Sequence, residues 1–296
     1  MELRQLEYFV TVVEEASFSA AARRLGVTQP SISEQLRKLE RELRQPLLDR
    51  LPRRVIPTPA GQQLLEHARR ILAEVSEATR RSADAASGRL GGRLTVGAIP
   101  TIAPFLLPRL VPAFERRYAD VELLVVEDTT QRLVEQVLRG EVDVAIASTV
   151  PPTPQLHVET IAEEPLVLML PVRHRLTRGR RISPAILEGE RFVALHEMHC
   201  LADQSARFCI QRELRPPVVM HGSNLFTLST MVAIGMGVSL VPRMMSDSPA
   251  RGVRGTTYRP FTGDPPTRPL TLLWSLLRYR TLAARAFSAM ATAMLR

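Results

Sequence analysis

The only two cysteines of this 296-residue chain stand nine residues apart, in His199-Cys200-Leu201-Ala202-Asp203-Gln204-Ser205-Ala206-Arg207-Phe208-Cys209. In a helix, nine steps of about 100° put the two thiols on opposite faces, roughly 13 Å apart along the axis. A disulfide needs Cα atoms within about 7 Å of each other. The pair can therefore stay reduced in the folded chain, or bridge once the helix between them unwinds. The reactive form of a cysteine is the thiolate, favoured at a helix N-terminus or beside a cationic group. Cys200 follows His199 at the expected start of a helix and meets that description. A free cysteine is also a good small hydrophobe, and Cys209, beside Phe208 on an apolar helix face, suits that role by itself.

Other chemistry is sparse. The chain has no Cys-x-x-Cys, no His-x-x-x-His, no Gly-rich phosphate loop of known spacing and no convincing Ser-His-Asp arrangement. No metal, cofactor or enzymatic activity is expected. Two threonine segments remain. Pro100-Thr101 follows an expected strand at Leu94–Ile99, and Thr129-Thr130 follows one at Val121–Glu127. Each precedes a helix, so each hydroxyl either faces a ligand at the strand ends or caps the helix.

The length allows about two domains. Hydrophobic content of 45% and charged content of 23% fit an ordinary soluble globular protein. No apolar run approaches the roughly 20 residues of a membrane span, and the start lacks the pattern of a signal peptide. Two cysteines do not make a secreted disulfide framework. The expected location is the cytoplasm, with no membrane partner. A net charge of +9, carried almost wholly by arginine, fits a polyanion partner.

The elements that must position these groups can be read along the chain. Ser19 is expected to cap a short helix through Leu25, Gly26 to end it, and Thr28 to cap a second helix with Pro30 in its first turn. Val27, Ile32, Leu36, Leu39 and Leu43 recur at helical spacing as its buried stripe. This is a helix-turn-helix, whose second helix meets base edges in the major groove. The residues offered there are Gln29, Pro30, Ser31, Ser33, Glu34 and Arg37. Arg50, Arg53 and Arg54 follow in a segment broken by Pro46, Pro52 and Pro57, a β-wing beside the phosphates. A helical hairpin with a solvated basic face is the alternative.

A long helix is expected from Thr58 to about Ser87. Its stripe of Leu65, Ala68, Leu72, Val75, Thr79 and Ser82 suits helix–helix dimerisation, with packing on its own domain as the alternative. Ser87 to Gly92 reads as a hinge. Beyond it strands and helices alternate, with strands at Leu94–Ile99, Val121–Glu127, Val142–Ala147, Leu166–Leu170, Phe192–Leu195, Val238–Val241 and Leu270–Trp274. Such alternation implies parallel sheets covered by helices.

Residues 1–62 resemble the winged helix-turn-helix of LysR-type transcriptional regulators. The resemblance rests on Leu6, Phe9, Phe18, Ala20-Ala21-Ala22, Leu25, Thr28-Gln29-Pro30-Ser31, Ser33, Leu39-Glu40, Leu43 and Thr58-Pro59-Ala60-Gly61. Leu47-Leu48 replaces the usual Leu-Phe. The likeness implies an α/β architecture: a DNA-binding domain at 1–62, a linker and dimerisation helix with hinge at 58–92, and a regulatory domain at 93–296. That last domain would consist of two Rossmann-like subdomains resembling periplasmic binding proteins, with the effector in the cleft between them.

Within this family the peroxide-sensing OxyR group carries His-Cys-Leu-x-Asp-Gln and then Phe-Cys at this separation. This chain matches it with His199-Cys200-Leu201-Ala202-Asp203-Gln204 and Phe208-Cys209, and also with Ile99-Pro100-Thr101 and Glu127 with Thr130. The resemblance implies that hydrogen peroxide oxidises Cys200 and that Cys209 resolves the product as a disulfide. Thr101, Thr130, His199, Asp203 and Gln204 would surround the peroxide. It further implies double-stranded DNA with an interrupted inverted repeat, a homodimer or homotetramer, and RNA polymerase as a candidate partner. Met198 departs from the group's usual Gly, and His196 and Glu197 also differ. A backbone that needs glycine there would make the reaction slower. The competing expectations are a regulator of the same family answering a small organic ligand, and a thiol peroxidase or solute-binding module.

Overall fold

The computed structural model describes residues 1–51, 54–87, 90–248 and 253–295. It divides into two compact units, Met1–Ala86 and Ser87–Arg296. Arg53 and the hinge residues 88 and 89 lie outside the described residues, as do the side chains of Arg50 and Ser82.

The first unit runs α1 (Leu3–Glu15), α2 (Phe18–Leu25), α3 (Gln29–Leu43), β1 (Leu48–Leu51), β2 (Arg54–Pro57) and α4 (Pro59–Ser87). Its core joins Leu6 and Phe9 of α1 to Ala21 of α2, Ile32, Leu36 and Leu39 of α3, and Leu65 and Ala68 of α4. The cap of α2 is Ser17 rather than Ser19. Its hydroxyl accepts the Ala20 N–H at 3.3 Å, and the helix starts earlier than expected. Gly26 ends it at φ 65°, the left-handed geometry that glycine adopts most easily. Thr28 holds the cap position of α3 without a side-chain bond to the backbone.

β1 and β2 pair antiparallel as the wing. Glu40 of α3 fastens the chain entering the wing, accepting the N–H groups of Leu47 (2.9 Å) and Leu48 (3.3 Å). Thr58 closes the other side, donating to Pro46 O at 2.7 Å and accepting the Gly61 N–H at 3.0 Å. Gly61 is needed there because a Cβ would run into the Leu47 carbonyl. The α4 stripe divides. Leu65 and Ala68 are buried in the first unit's own core, whereas Val75 and Thr79 remain exposed.

The second unit continues with β3 (Gly92–Ala98), α5 (Ala103–Arg117), β4 (Val121–Glu127), α6 (Thr130–Arg139), β5 (Val144–Ala147), β6 (Leu156–Pro171), β7 (Phe192–Leu195), α7 (Cys200–Gln211) and β8 (Val218–Gly222). It ends with α8 (Leu225–Ala233), β9 (Ser239–Pro242), α9 (Arg243–Asp247), β10 (Thr256–Arg259), β11 (Thr267–Ser275) and α10 (Leu282–Leu295). The sheets are mixed rather than all parallel. β3 pairs parallel with β4 and β5, and β7 with β8. β11 runs antiparallel to β5 and β6, and β6 antiparallel to β9 and β10.

The reason is β6, a 16-residue strand serving two subdomains. Its first half, through Pro165, lies beside β11, and its second half, from Leu166, lies between β9 and β10. One core gathers Leu94, Val96, Leu110, Phe114, Ile146 and Phe287 on the β3 side. Two others, around Leu166, Val193 and Leu228 and around Leu168, Phe192 and Phe208, fill the β9 side. No helix among the described residues is long and apolar enough to cross a membrane.

Candidate functional site

Cys200 is the first residue of α7 and His199 its cap residue. Thr130 is the first residue of α6, which starts at the carboxyl side of β4. The fold brings these two helix starts together from different subdomains. Thr130 Oγ1 and Cys200 Sγ lie 3.0 Å apart, and the thiol also faces Thr149 O at 3.4 Å. Both side chains thus project from the first turn of a helix, the end at which the positive pole of the helix dipole lies.

The first turn of α7 is fixed across the cleft by Gln204. Its Nε2 donates to Ser148 Oγ (2.7 Å) and Thr149 Oγ1 (2.9 Å), on the segment after β5. Its Oε1 is buried with no hydrogen-bond partner among the described residues. His199 is buried, with Nε2 2.8 Å from Ser223 O. A backbone carbonyl only accepts, so Nε2 carries the proton, and in the neutral ring Nδ1 keeps its lone pair.

Two of the expected pocket residues are placed otherwise. Thr101 is buried at the end of β3, but no hydrogen bond among the described residues joins it to Cys200. Its Oγ1 accepts from Arg268 Nη1 at 2.8 Å and its carbonyl from Nη2 at 3.1 Å. Asp203 is exposed and paired with Arg207 at 2.9 Å, one turn along α7. Among the described residues this carboxylate makes no bond to Cys200, Thr130 or His199.

Arg268 escaped the sequence reading. It is 0% exposed on β11, and Nε and Nη2 each reach Glu164 Oε2 at 2.8 Å. Glu164 stands on β6 at the crossing between subdomains and its Oε1 accepts the Met244 N–H at 2.6 Å. The pair thus connects Thr101 of one subdomain with the start of α9 in the other. Its signal is its phase: Arg268 has the same parity as buried Leu270 along the strand, ahead of the register shift at Leu270/Thr271.

Cys209 lies nine residues along the same helix, 8% exposed, in a core with Leu187, Phe192, Phe208 and Phe261. Burial pushes its thiol pKa up, and the nearby Glu188 carboxylate adds to the effect. Beside it a cleft of about 650 Å³ runs between α7 and the β7–β8 pair. Both thiols are free. Met198 is 56% exposed and is not among the residues with positive φ, so the backbone before Cys200 does not require glycine.

In the first unit, Gln29, Pro30, Glu34 and Arg37 are exposed on α3, and Ser31 is half-buried. Ser33, also expected among the base contacts, is 9% exposed on α3. Arg54 is exposed at the start of β2.

Residues 3–62 match the family description "Bacterial regulatory helix-turn-helix protein, lysR family", and residues 87–296 match "LysR substrate binding domain". The chain is 34% identical to the hydrogen peroxide-inducible genes activator of Dickeya chrysanthemi, over 93% of this chain and 89% of that protein. It is 33% identical to the Hca operon transcriptional activator HcaR of Escherichia coli, over 93% and 92% of the two chains. The structure of a full-length OxyR variant from Pseudomonas aeruginosa superposes with a TM-score of 0.77 at 30% identity, covering 99% of this chain and 94% of that one.

Proposed function

Because the chain belongs to the LysR family of bacterial transcriptional regulators, we propose that it is a DNA-binding regulator whose signal is hydrogen peroxide, received at Cys200. The observation that carries this is the Cys200 sulfur, set at the start of α7, 3.0 Å from Thr130 Oγ1, with His199 and Gln204 beside it. In this reading the thiolate attacks one peroxide oxygen and the O–O bond breaks. Sulfur is oxidised to sulfenic acid, and the other oxygen takes a proton and leaves as water. Thr130 and His199 orient the peroxide and pass that proton, while Arg268 keeps Thr101 in place. The Cys209 thiol then attacks the sulfenic sulfur, releasing a second water and forming the 200–209 disulfide.

Nine residues of one helix cannot bring the two sulfurs together, so oxidation has to unwind α7. At the end of α7 the Cys209 carbonyl accepts from Arg212 N (3.2 Å) and Leu214 N (2.8 Å), bonds that such unwinding has to break. Such a local covalent event biases a bistable element, and through it the grip on the operator. Gln29, Glu34, Arg37 and Arg54 are the proposed DNA contacts. Val75 and Thr79 of α4 are the proposed start of a homo-oligomer surface.

The test is peroxide treatment at low micromolar concentration, followed by peptide mass spectrometry and a DNA footprint. An intramolecular 200–209 disulfide and a changed footprint are expected in wild type, and neither in Cys200→Ser or Cys209→Ser. An absent disulfide or an unchanged footprint would reject the redox switch. The match of residues 87–296 to the description "LysR substrate binding domain" favours a second reading, in which a small organic ligand occupies the cleft between subdomains and the cysteines are incidental.

A further inference from the structure

Residues 173–181 read Arg-His-Arg-Leu-Thr-Arg-Gly-Arg-Arg, five arginines among nine residues with no acidic side chain. All five arginines are exposed. Only Arg175 has an ion pair among the described residues, its Nη2 2.6 Å from Glu190 Oε1. Arg173, Arg178, Arg180 and Arg181 have none there. Exposed Arg254 lies alongside, since Gly255 O accepts the Val172 N–H at 2.9 Å.

This loop is held in shape despite its own charge repulsion. Arg259 clamps it from below, donating Nε to Gly179 O (2.7 Å) and Nη2 to Thr177 O (2.6 Å). Glu190, itself buried, also contacts His174 Nε2 at 3.2 Å. The His174 carbonyl accepts the Thr177 hydroxyl at 2.7 Å. One arginine and one carboxylate are thus spent on fixing the backbone, while four guanidinium groups stay at its surface without a carboxylate among the described residues. A loose loop would spread such like charges apart. A fixed one presents them together to a polyanion.

We propose that this arginine crest is a second, sequence-independent contact for duplex DNA, gripping phosphates outside the base-reading contacts of α3. The inference rests on reading the chain as a DNA-bound regulator. Guanidinium groups match phosphate oxygens in bidentate pairs. The crest carries no aromatic side chain, and Val172 is its one exposed apolar neighbour in sequence. Protein-binding surfaces concentrate aromatic anchors at their centre, so the composition favours phosphate over an acidic protein. The duplex held by the first unit also stands at high effective concentration to the rest of the same chain.

The test measures how binding of full-length protein to a mixed-sequence DNA duplex depends on salt. Three variants are compared with wild type: the crest variant Arg173→Gln with Arg178→Gln, Arg180→Gln and Arg181→Gln; a control of equal charge loss, Arg116→Gln with Arg117→Gln, Arg132→Gln and Arg139→Gln; and Arg37→Ala. Each phosphate contact contributes about 0.9 to the slope of log affinity against log salt. The crest variant is expected to lose roughly 2–4 of that slope and at least about tenfold in affinity at low salt, with the control losing far less. An unchanged slope while Arg37→Ala still weakens binding would overturn the crest and leave the DNA reading intact; an acidic protein would then be the partner. An equal loss in the control would assign the effect to net charge and overturn it too. Wild-type protein that binds no duplex would remove the underlying reading and this one with it.

Discussion

Thr130 Oγ1 and Cys200 Sγ face each other at 3.0 Å from the first residues of two helices in different subdomains. Thr130→Val removes the hydroxyl and keeps the shape. Hydrogen bonds to a charged group are worth about 1.5–3 kcal/mol. Oxidation of Cys200 by peroxide is therefore expected to slow about 10- to 100-fold, measured by stopped-flow and mass spectrometry. Thermal stability should fall by only about 1 kcal/mol. An unchanged oxidation rate would detach Thr130 from the chemistry.

Removing Arg268 leaves the Glu164 carboxylate buried without its cation. Arg268→Ala is expected to lower unfolding free energy by about 3–5 kcal/mol, read from urea titrations. Pairing Arg268→Met with Glu164→Leu should recover part of the loss, because the stranded charge is then gone. If the single variant were as stable as wild type, the pair would not hold the crossing together.

The two thiols should separate by reactivity. In native protein iodoacetamide is expected to label Cys200 well before Cys209, and in denaturant both at similar rates. The pKa of Cys209 is raised on folding, so the folded chain keeps its proton to higher pH than the unfolded chain does. That stabilisation is complete below the unfolded thiol value of about 8.5 and is lost as pH rises from there through the folded value. Melting curves should fall more steeply above that pH in wild type than in Cys209→Ala. Identical pH profiles would mean the buried thiol does not couple to folding.

Arg37→Ala is expected to weaken binding to a cognate operator by about 1–3 kcal/mol if the guanidinium pairs with a base. Titrations at one fixed salt concentration check it. Ser33→Ala should leave affinity nearly unchanged, since Ser33 is buried. A large effect at Ser33 would return it to the interface.

Most elements of the fold were legible because their signals are local. Gly26, the strand at Phe192–Leu195 and Ile32, Leu36 and Leu39 of the α3 stripe each declare themselves within a few residues, whereas Leu43, expected in the same stripe, is 39% exposed where the helix ends. β6 was read only in its second half, because Pro165 interrupts the pattern where the strand passes between subdomains. β8 was missed behind Pro216 and Pro217, on a strand largely exposed. At the site, the alignment of Cys200 with Thr130 joins residues 70 positions apart, and no local spacing encodes it. Asp203 shares its sequence neighbourhood with Cys200, but its side chain is exposed and pairs with Arg207. Arg268 sat in a polar stretch, and only the alternation of β11 marks it as interior.

The placement of Cys200 and Cys209 on one continuous helix has a thermodynamic consequence. If the disulfide requires α7 to unwind, the helix's folding free energy enters the reduction potential of the thiol pair. For a two-electron couple about 1.4 kcal/mol corresponds to roughly 30 mV. Each 1 kcal/mol by which α7 is stabilised in the reduced chain would then raise that potential by about 20 mV. Side chains that touch neither sulfur, such as Arg212 at the end of α7, bonded to Asp264 O at 2.6 Å, would thereby set how oxidising the surroundings must become before the pair closes.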